Sequence, residues 1–186
     1  MPRIPLAPGL WRLHLGFVNA YALAGAKGLT LIDTGLAPQA PYLWALLRGL
    51  PPVRDLVLTH AHIDHCGGAR FLAAQTGARL WAGAEDAALM QAGRCLRPRI
   101  PAPNWKGHVL TQGFARLHGA RMRPLHAVRP LKEGAAPFRA DLEVFALPGH
   151  SAGQIGLIWH RTAQRVLFGA DALGRLGGYT HPILYE

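Results

Sequence analysis

The run His60-Ala61-His62-Ile63-Asp64-His65 places four side chains that can bind a metal ion within six residues. The apolar run before it, Asp55 to Thr59, predicts a short strand, and the periodic run after Gly67-Gly68, Ala69 to Thr76, predicts a helix. Imidazole suits zinc, iron and similar divalent metals, and a carboxylate adds a hard oxygen ligand. The stretch therefore predicts a metal-binding loop between a strand and a helix.

Three further ionisable residues each follow an apolar, strand-like run. They are Asp33 after Leu29–Ile32, His150 after Val144–Leu147 and the turn Pro148-Gly149, and Asp171 after Val166–Ala170. A single aspartate in such a place is more often a turn or cap residue than a ligand. However, layered α/β folds place their sites at the carboxyl ends of strands, so four repetitions of one arrangement predict one convergent site.

These motifs and their order resemble the metallo-β-lactamase-fold hydrolases. The matching pieces are Asp33-Thr34-Gly35, the His60–His65 run with Gly67-Gly68, Pro148-Gly149-His150 with Ser151-Ala152-Gly153, and Gly169-Ala170-Asp171. The resemblance implies an α/β fold, an αββα sandwich with a metal site at one edge. We expect a single domain over residues 1–186 that lacks the C-terminal part of the fold. The resemblance does not identify the substrate, because one fold hosts many chemistries.

Metal ligands can be assigned to the motif residues as hypotheses. His60 and His62 lie two residues apart, so both reach one ion only if the backbone there is extended or looped, and His150 is their third ligand. Three protein ligands leave a position for water, as in catalytic zinc sites. By resemblance, Asp64 and His65 hold a second ion, Asp171 lies between the two, and Asp33 orients a ligand from behind. We expect one or two Zn²⁺ ions, with iron or manganese as alternatives.

The resemblance implies hydrolysis of an ester-like bond by a metal-bound hydroxide, with Asp64 as the catalytic residue that steers the water or passes on its proton. Zinc β-lactamases commonly have cysteine where this chain has Asp171. The site therefore looks like the glyoxalase II-like, lactonase and nuclease branches. A thioester hydrolase of the glyoxalase II (hydroxyacylglutathione hydrolase) type is the first hypothesis, because its anionic substrates suit a basic chain.

Other functions remain open. A lactonase, or a phosphodiesterase or nuclease, would use the same metals. Ile63 stands where tRNA-processing nucleases of this fold usually have glycine, which argues against nucleic acid as the partner. A persulfide dioxygenase would hold a single iron with His60, His150 and Asp171. A non-catalytic metal-binding module is the last alternative.

Composition indicates a globular chain. Half of the 186 residues are hydrophobic, no apolar run has the length of a membrane span, and the residues from Met1 to Gly16 contain no continuous apolar segment typical of a secretory signal. The two cysteines cannot form a disulfide framework. We therefore expect a cytoplasmic protein with no membrane partner. The sequence does not indicate an oligomeric state.

The positive charge is unevenly distributed. The net charge is +10, and the residues from Ala87 to Leu131 include no acidic side chain. A basic insertion at about 94–129 divides the motifs into two halves. We expect it to form a positive rim at the site that binds a small anionic substrate, with Arg97 and Arg99 as the weakest of the assigned contacts.

Periodicity predicts strands near 9–16, 18–25, 28–33, 55–59, 78–82, 127–131, 142–147, 155–160 and 165–170, and helices near 38–49, 68–76, 84–93 and 112–120. The family's final histidine, some tens of residues beyond its last aspartate, has no clear counterpart here. Fifteen residues follow Asp171, and His181 is their one histidine. Either the chain is a fragment, or His181 substitutes, or the second metal is weakly held.

Overall fold

Two β-sheets face each other in the protein. The computed structural model describes residues 3–16, 18–96, 122–161, 164–176 and 179–182. The first sheet has seven strands in chain order: β1 Arg3–Ala7, β2 Leu10–His14, β3 Asn19–Gly25, β4 Gly28–Ile32, β5 Val53–Leu58, β6 Arg79–Gly83 and β7 Val128–Leu131. The second has four, in the order β11 Arg165–Phe168, β10 Ile155–His160, β9 Arg139–Ala146 and β8 Gly134–Ala136. A separate hairpin pairs β12 Leu173–Leu176 with β13 Tyr179–Pro182.

Strand direction in the first sheet determines where the loops meet. Strands β1 to β4 form an antiparallel meander, whereas β4, β5, β6 and β7 run parallel. The parallel strands therefore present their carboxyl ends at one edge of the sheet. The helices that follow them are α1 Ala40–Leu46, α2 Ile63–Cys66, α3 Ala69–Thr76 and α4 Ala84–Gln91.

Two apolar cores hold these layers together. Leu43 of α1, Leu72 of α3 and Met90 of α4 pack on one face of the seven-stranded sheet. The opposite face packs on the four-stranded sheet through residues such as Val57 and Leu157. Because β5 lies between both cores, Leu56, Val57 and Leu58 are all fully buried, as expected for a parallel strand covered on both faces.

The sequence predicted most of these elements but not all. It did not predict β1, which contains Pro5. Strand β1 is at the edge of the sheet and changes register between Pro5 and Ala7, and an edge strand tolerates a missing backbone donor. Strand β8 and the β12–β13 hairpin were also not predicted. The helix predicted at 112–120 lies outside the described residues.

The mixed α/β fold with two facing sheets is confirmed. Among the described residues, helices cover one outer face only, that of the seven-stranded sheet. The second helical layer of the predicted αββα sandwich is therefore not present in that part of the chain. None of the described helices has both the length and the apolar character needed to span a membrane.

Candidate metal centre

The carboxyl edge of the parallel strands brings the predicted site residues together. Asp33 follows β4 directly, and His60 follows β5 after Thr59. The backbone at His62 is extended, with φ −78° and ψ 142°, and α2 begins at the next residue. His150 lies in the loop between β9 and β10, and this loop is attached to the end of β5 by a hydrogen bond from Ile155 N to Thr59 O of 3.0 Å. The extended backbone at His62 is what the spacing of His60 and His62 required.

Three buried histidines form the first donor group. One ring nitrogen from each of His60, His62 and His150 lies within 4.8 Å of the others. His62 Nδ1 and His150 Nε2 are 2.6 Å apart. His60 Nε2 is buried and has no hydrogen-bond partner among the described residues. A buried imidazole nitrogen without a hydrogen bond is costly, and a metal ion would satisfy it.

A second donor group shares His60 and adds His65 and Asp171, again with donor atoms within 4.8 Å. Asp171 Oδ1 is 3.3 Å from His65 Nε2, and Asp171 Oδ2 is 3.5 Å from His150 Nε2. The carboxylate of the second group therefore also contacts a histidine of the first group, and its place between two metal ions stays a prediction. Ala170, which precedes it, has φ +46°, an uncommon conformation for a residue with a side chain.

Asp64 is beside this second group rather than within it. Its Oδ2 atom is 3.9 Å from His65 Nε2, and its side chain is 16% exposed. Neither donor group of the described residues includes it. Its assignment as a ligand and catalytic residue stays a prediction.

Asp33 holds two of the histidines in a fixed orientation. Its Oδ2 atom accepts a hydrogen bond of 2.9 Å from His65 Nδ1, and the Thr59 hydroxyl donates to both of its oxygens at 2.9 and 3.0 Å. Because that hydroxyl has one hydrogen, it must accept the 3.0 Å hydrogen bond from His60 Nδ1. Both imidazoles thus carry hydrogen on Nδ1 and point Nε2 into the site. Asp33 thus lies behind the nitrogens that face the site, and its role in orienting metal ligands stays a prediction.

The electrostatics of the two groups differ. Burial, together with the neighbouring histidines, holds the pKa of His60 well below its usual value and lowers that of His150 to about 4. Both rings are therefore neutral at pH 7 and can offer lone pairs. Burial by itself lowers the pKa of His65, but Asp33 and Asp171 outweigh it and raise the pKa well above the usual range. A metal at the second group must displace this proton.

Asp171 responds in the opposite direction. Burial by itself raises its pKa, but the hydrogen bond to His65 and the surrounding histidines together outweigh burial and hold the pKa of Asp171 below its usual value. The carboxylate is therefore ionised at neutral pH. Three inward-facing imidazoles with an adjacent carboxylate fit the donor preferences of zinc, and of iron or manganese less specifically.

The fold and this geometry agree with the comparison to known families. The family model described as "Metallo-beta-lactamase superfamily" matches residues 14–183, which is most of the chain. The chain belongs to the metallo-β-lactamase superfamily. The predicted superfamily is therefore confirmed, and members of this superfamily are mostly metal-dependent hydrolases.

Solved structures support the same fold at low sequence identity. A B3 metallo-β-lactamase with an active-site glutamic acid has a TM-score of 0.71 at 22% identity, over 90% of this chain and 60% of that one. The Cronobacter sakazakii (Enterobacter sakazakii) enzyme with a HARLDQ motif has a TM-score of 0.67 at 23% identity, over 85% and 57%. The metallo-β-lactamase SMB-1 bound to 2-mercaptoethanesulfonate has a TM-score of 0.71 at 22% identity, over 90% and 63%. This chain thus spans about 60% of the length of these relatives.

Two other predicted features cannot be placed at the site. Arg97 and Arg99 lie outside the described residues. Within the basic insertion, Leu96 N donates to Ala61 O, beside the centre, at 2.9 Å, and Met122 N donates to Gly93 O at 3.1 Å. The backbone of His181 pairs with Gly174, three residues beyond Asp171, while its side chain is outside the described part of the chain.

Sequence reasoning missed Thr59 and Asp86. Thr59 was interpreted as the last residue of a strand, and Asp86 only as part of the helix predicted near 84–93. The structure buries both almost completely, with 1% exposure for Thr59 and none for Asp86. Only its burial distinguishes Asp86 from an ordinary acidic residue at the exposed start of a helix. Burial cannot be read from the sequence, so the sequence offered no signal for Asp86.

Proposed function

We propose that this protein is a metal-dependent hydrolase of ester-like bonds, with a thioester of the hydroxyacylglutathione type as its substrate class. The observation that carries the proposal is the position of Asp171. Its two oxygens are 3.3 Å and 3.5 Å from nitrogens of His65 and His150, one in each donor group. An oxygen donor in this place resembles the glyoxalase II-like and lactonase branches.

The residues of the chain divide the work. His60, His62 and His150 would hold one ion, and His65 and Asp171 would contribute to a second beside it. A bound zinc ion supplies Lewis acidity, which polarises the scissile carbonyl and lowers the pKa of a coordinated water to about 7. Asp33 keeps His65 Nε2 and, through Thr59, His60 Nε2 directed inwards. Asp64 would take up the proton released on attack and deliver it to the leaving group.

The second candidate is a β-lactamase, because the solved relatives at TM-scores near 0.7 are named as such enzymes. We rank the β-lactamase second, because the identity to these relatives is low and because Asp171 supplies a carboxylate. The two differ in the bond that they cleave, so activity separates them.

The test is a substrate panel with the zinc-loaded protein: a hydroxyacylglutathione thioester, a lactone, a bis-phosphodiester and a β-lactam. We expect the fastest turnover with the thioester. Asp171→Asn keeps the volume of the side chain and removes its charge, so it should reduce that turnover by about 10–100-fold. The control is His160→Ala, since His160 bonds to Glu143 at 2.7 Å on the exposed face of the four-stranded sheet.

Each other outcome assigns a different function. Turnover of the β-lactam alone would favour the second candidate, and turnover of the phosphodiester alone would favour a nuclease. Oxygen consumption with a persulfide by the iron-loaded protein would favour a dioxygenase. Metal binding with no turnover of any compound would contradict the proposal and leave a binding module.

A further inference from the structure

We propose that Asp86 is a positioning residue that holds the two halves of the first histidine group in register. The inference rests on the proposed metal site. The histidines of that group come from two separate loops, one after β5 and one between β9 and β10, which belong to different sheets. Asp86, in the first turn of α4, contacts both loops.

The carboxylate of Asp86 accepts three hydrogen bonds. Oδ2 accepts from Ala61 N and from Ser151 Oγ, both at 2.7 Å. Oδ1 accepts from Gly153 N at 3.0 Å. Ala61 lies between His60 and His62, and Ser151 directly follows His150. One side chain thus joins the backbones next to all three donors.

Close packing leaves this connection little freedom. A Cβ atom on Gly153 would lie 2.7 Å from Asp86 Oδ1, so the turn after His150 packs directly on the carboxylate. Ala61 is restrained from its other side as well, because Leu96 N donates to Ala61 O at 2.9 Å. Since Asp86 is fully buried, water cannot replace a lost acceptor there.

A neutral amide cannot reproduce this arrangement. All three partners are donors, and asparagine offers one oxygen and one NH₂ group. If the asparagine oxygen faces Ala61 N–H, then its NH₂ group faces Gly153 N–H, and two donors oppose each other. In the reverse orientation, the NH₂ group opposes Ala61 N–H instead. One loop must therefore move, and the nitrogens of His62 and His150 move relative to each other. The result is weaker binding of the metal at that group.

The matched control is Asp55, a second buried carboxylate, which lies in the seven-stranded sheet rather than in α4. It also accepts three hydrogen bonds, from Arg79 Nε and Nη2 at 2.9 Å and from Trp81 Nε1 at 2.7 Å. It is in β5, near the amino ends of the parallel strands and away from the histidines. Asp55→Asn thus measures what loss of such a carboxylate costs the fold without touching the site.

The experiment measures zinc affinity by competition with a chelator, and thermal unfolding, for the full chain and its variants. We expect Asp86→Asn to weaken zinc binding at the first histidine group by about 10–100-fold, and Ser151→Ala to weaken it less. Asp55→Asn should lower the melting temperature but change zinc affinity less than twofold. The electronic spectrum of the Co²⁺-loaded protein should shift in Asp86→Asn and not in Asp55→Asn, because it reports ligand geometry.

The outcomes separate the two proposals. Zinc affinity in Asp86→Asn equal to that of the parent protein would overturn the role of Asp86 while the metal site stands. An equal loss of affinity in Asp55→Asn would reduce Asp86 to a residue of general stability. A parent protein that binds no zinc would overturn the proposed function and this inference with it. If Asp86→Asn does not fold, then Ser151→Ala decides, because it removes one bond and leaves the carboxylate in place.

Discussion

Asp33 and Asp86 use the same chemistry on different parts of the centre. Asp33 contacts the rings of the histidines, directly at His65 Nδ1 and through Thr59 at His60 Nδ1. Asp86 contacts the backbone beside them. Ring contacts select the tautomer, while backbone contacts set the separation of the loops. The two aspartates therefore control different properties of the same donors.

At the residue scale, Asp64→Ala should lower kcat much more than it raises KM. Asp64 is 3.9 Å from His65 Nε2 and largely buried, so it acts next to the second donor group rather than on a distant part of the substrate. A group that transfers protons contributes about 10²–10⁴-fold to a rate. Steady-state kinetics with the thioester measure the effect, and an equal change in both constants would remove Asp64 from the proton transfer.

The control for this variant is Glu85→Ala. Glu85 is an exposed carboxylate in the first turn of α4, next to Asp86 in the sequence. Its removal changes the net charge by the same amount without reaching the histidines. Its kinetics should equal those of the parent protein, and its melting temperature shows whether a lost charge affects folding.

At the element scale, strand β9 is attached to the first sheet through one arginine. Arg139 donates to Leu23 O and Ala24 O, near the end of β3, at 3.2 Å each. The same side chain forms a two-point ion pair with Asp141, at 2.7 and 2.8 Å, and Asp141 also accepts from Trp159 Nε1 at 2.8 Å. The pair therefore joins β9 and β10 of the second sheet to the first.

This ion pair predicts a pH dependence of stability. The hydrogen bond from Arg139 holds the pKa of Asp141 below its usual value, which favours the folded state. A folded pKa that is lowered contributes stability above the unfolded pKa, and this contribution is lost as the pH falls through the folded pKa. Asp141→Asn should therefore lower the free energy of unfolding at pH 7 by roughly 1 kcal/mol and the melting temperature by about 2–4 °C. Below pH 4 the decrease should be smaller.

Thermal unfolding followed by circular dichroism across pH 3–8 measures this difference. The matched control is Glu143→Gln in the same strand, whose ion pair with His160 has both side chains more than 40% exposed. It should change the melting temperature by less than about 1 °C, because exposed pairs contribute little. A constant difference between Asp141→Asn and the parent protein at every pH would show that charge is not the cause.

At the scale of the whole molecule, the two donor groups should bind zinc unequally. The first consists of three imidazoles, two of which, His60 and His150, are already neutral at pH 7, while the second must displace the proton of His65. Titration with zinc should show one tight and one weak equivalent. The weak equivalent should gain affinity more steeply as the pH rises, because His65 loses its proton.

His181→Ala is the variant that examines the second group directly. The β12–β13 hairpin returns the backbone at His181 to the level of Gly174, close to Asp171 in the chain. We expect the tight equivalent to be unchanged in this variant. Two equally tight equivalents in the parent protein, one of them lost in His181→Ala, would instead identify His181 as a ligand and contradict the unequal sites.

The sequence alone identified the superfamily and predicted the residues that form the two donor groups, together with Asp64, which lies beside them. The closely spaced histidines follow an apolar run, and aspartates follow other such runs. These short-range patterns indicate strand ends that meet at one edge of a sheet. The tertiary structure alone decided which carboxylates hold the donors in place. Asp86 and Ser151 are 65 residues apart in the chain, and Asp33 and Thr59 are 26 apart. Hydrogen bonds over such separations leave no periodicity, because they depend on how strands pair and layers pack rather than on any local run of residues.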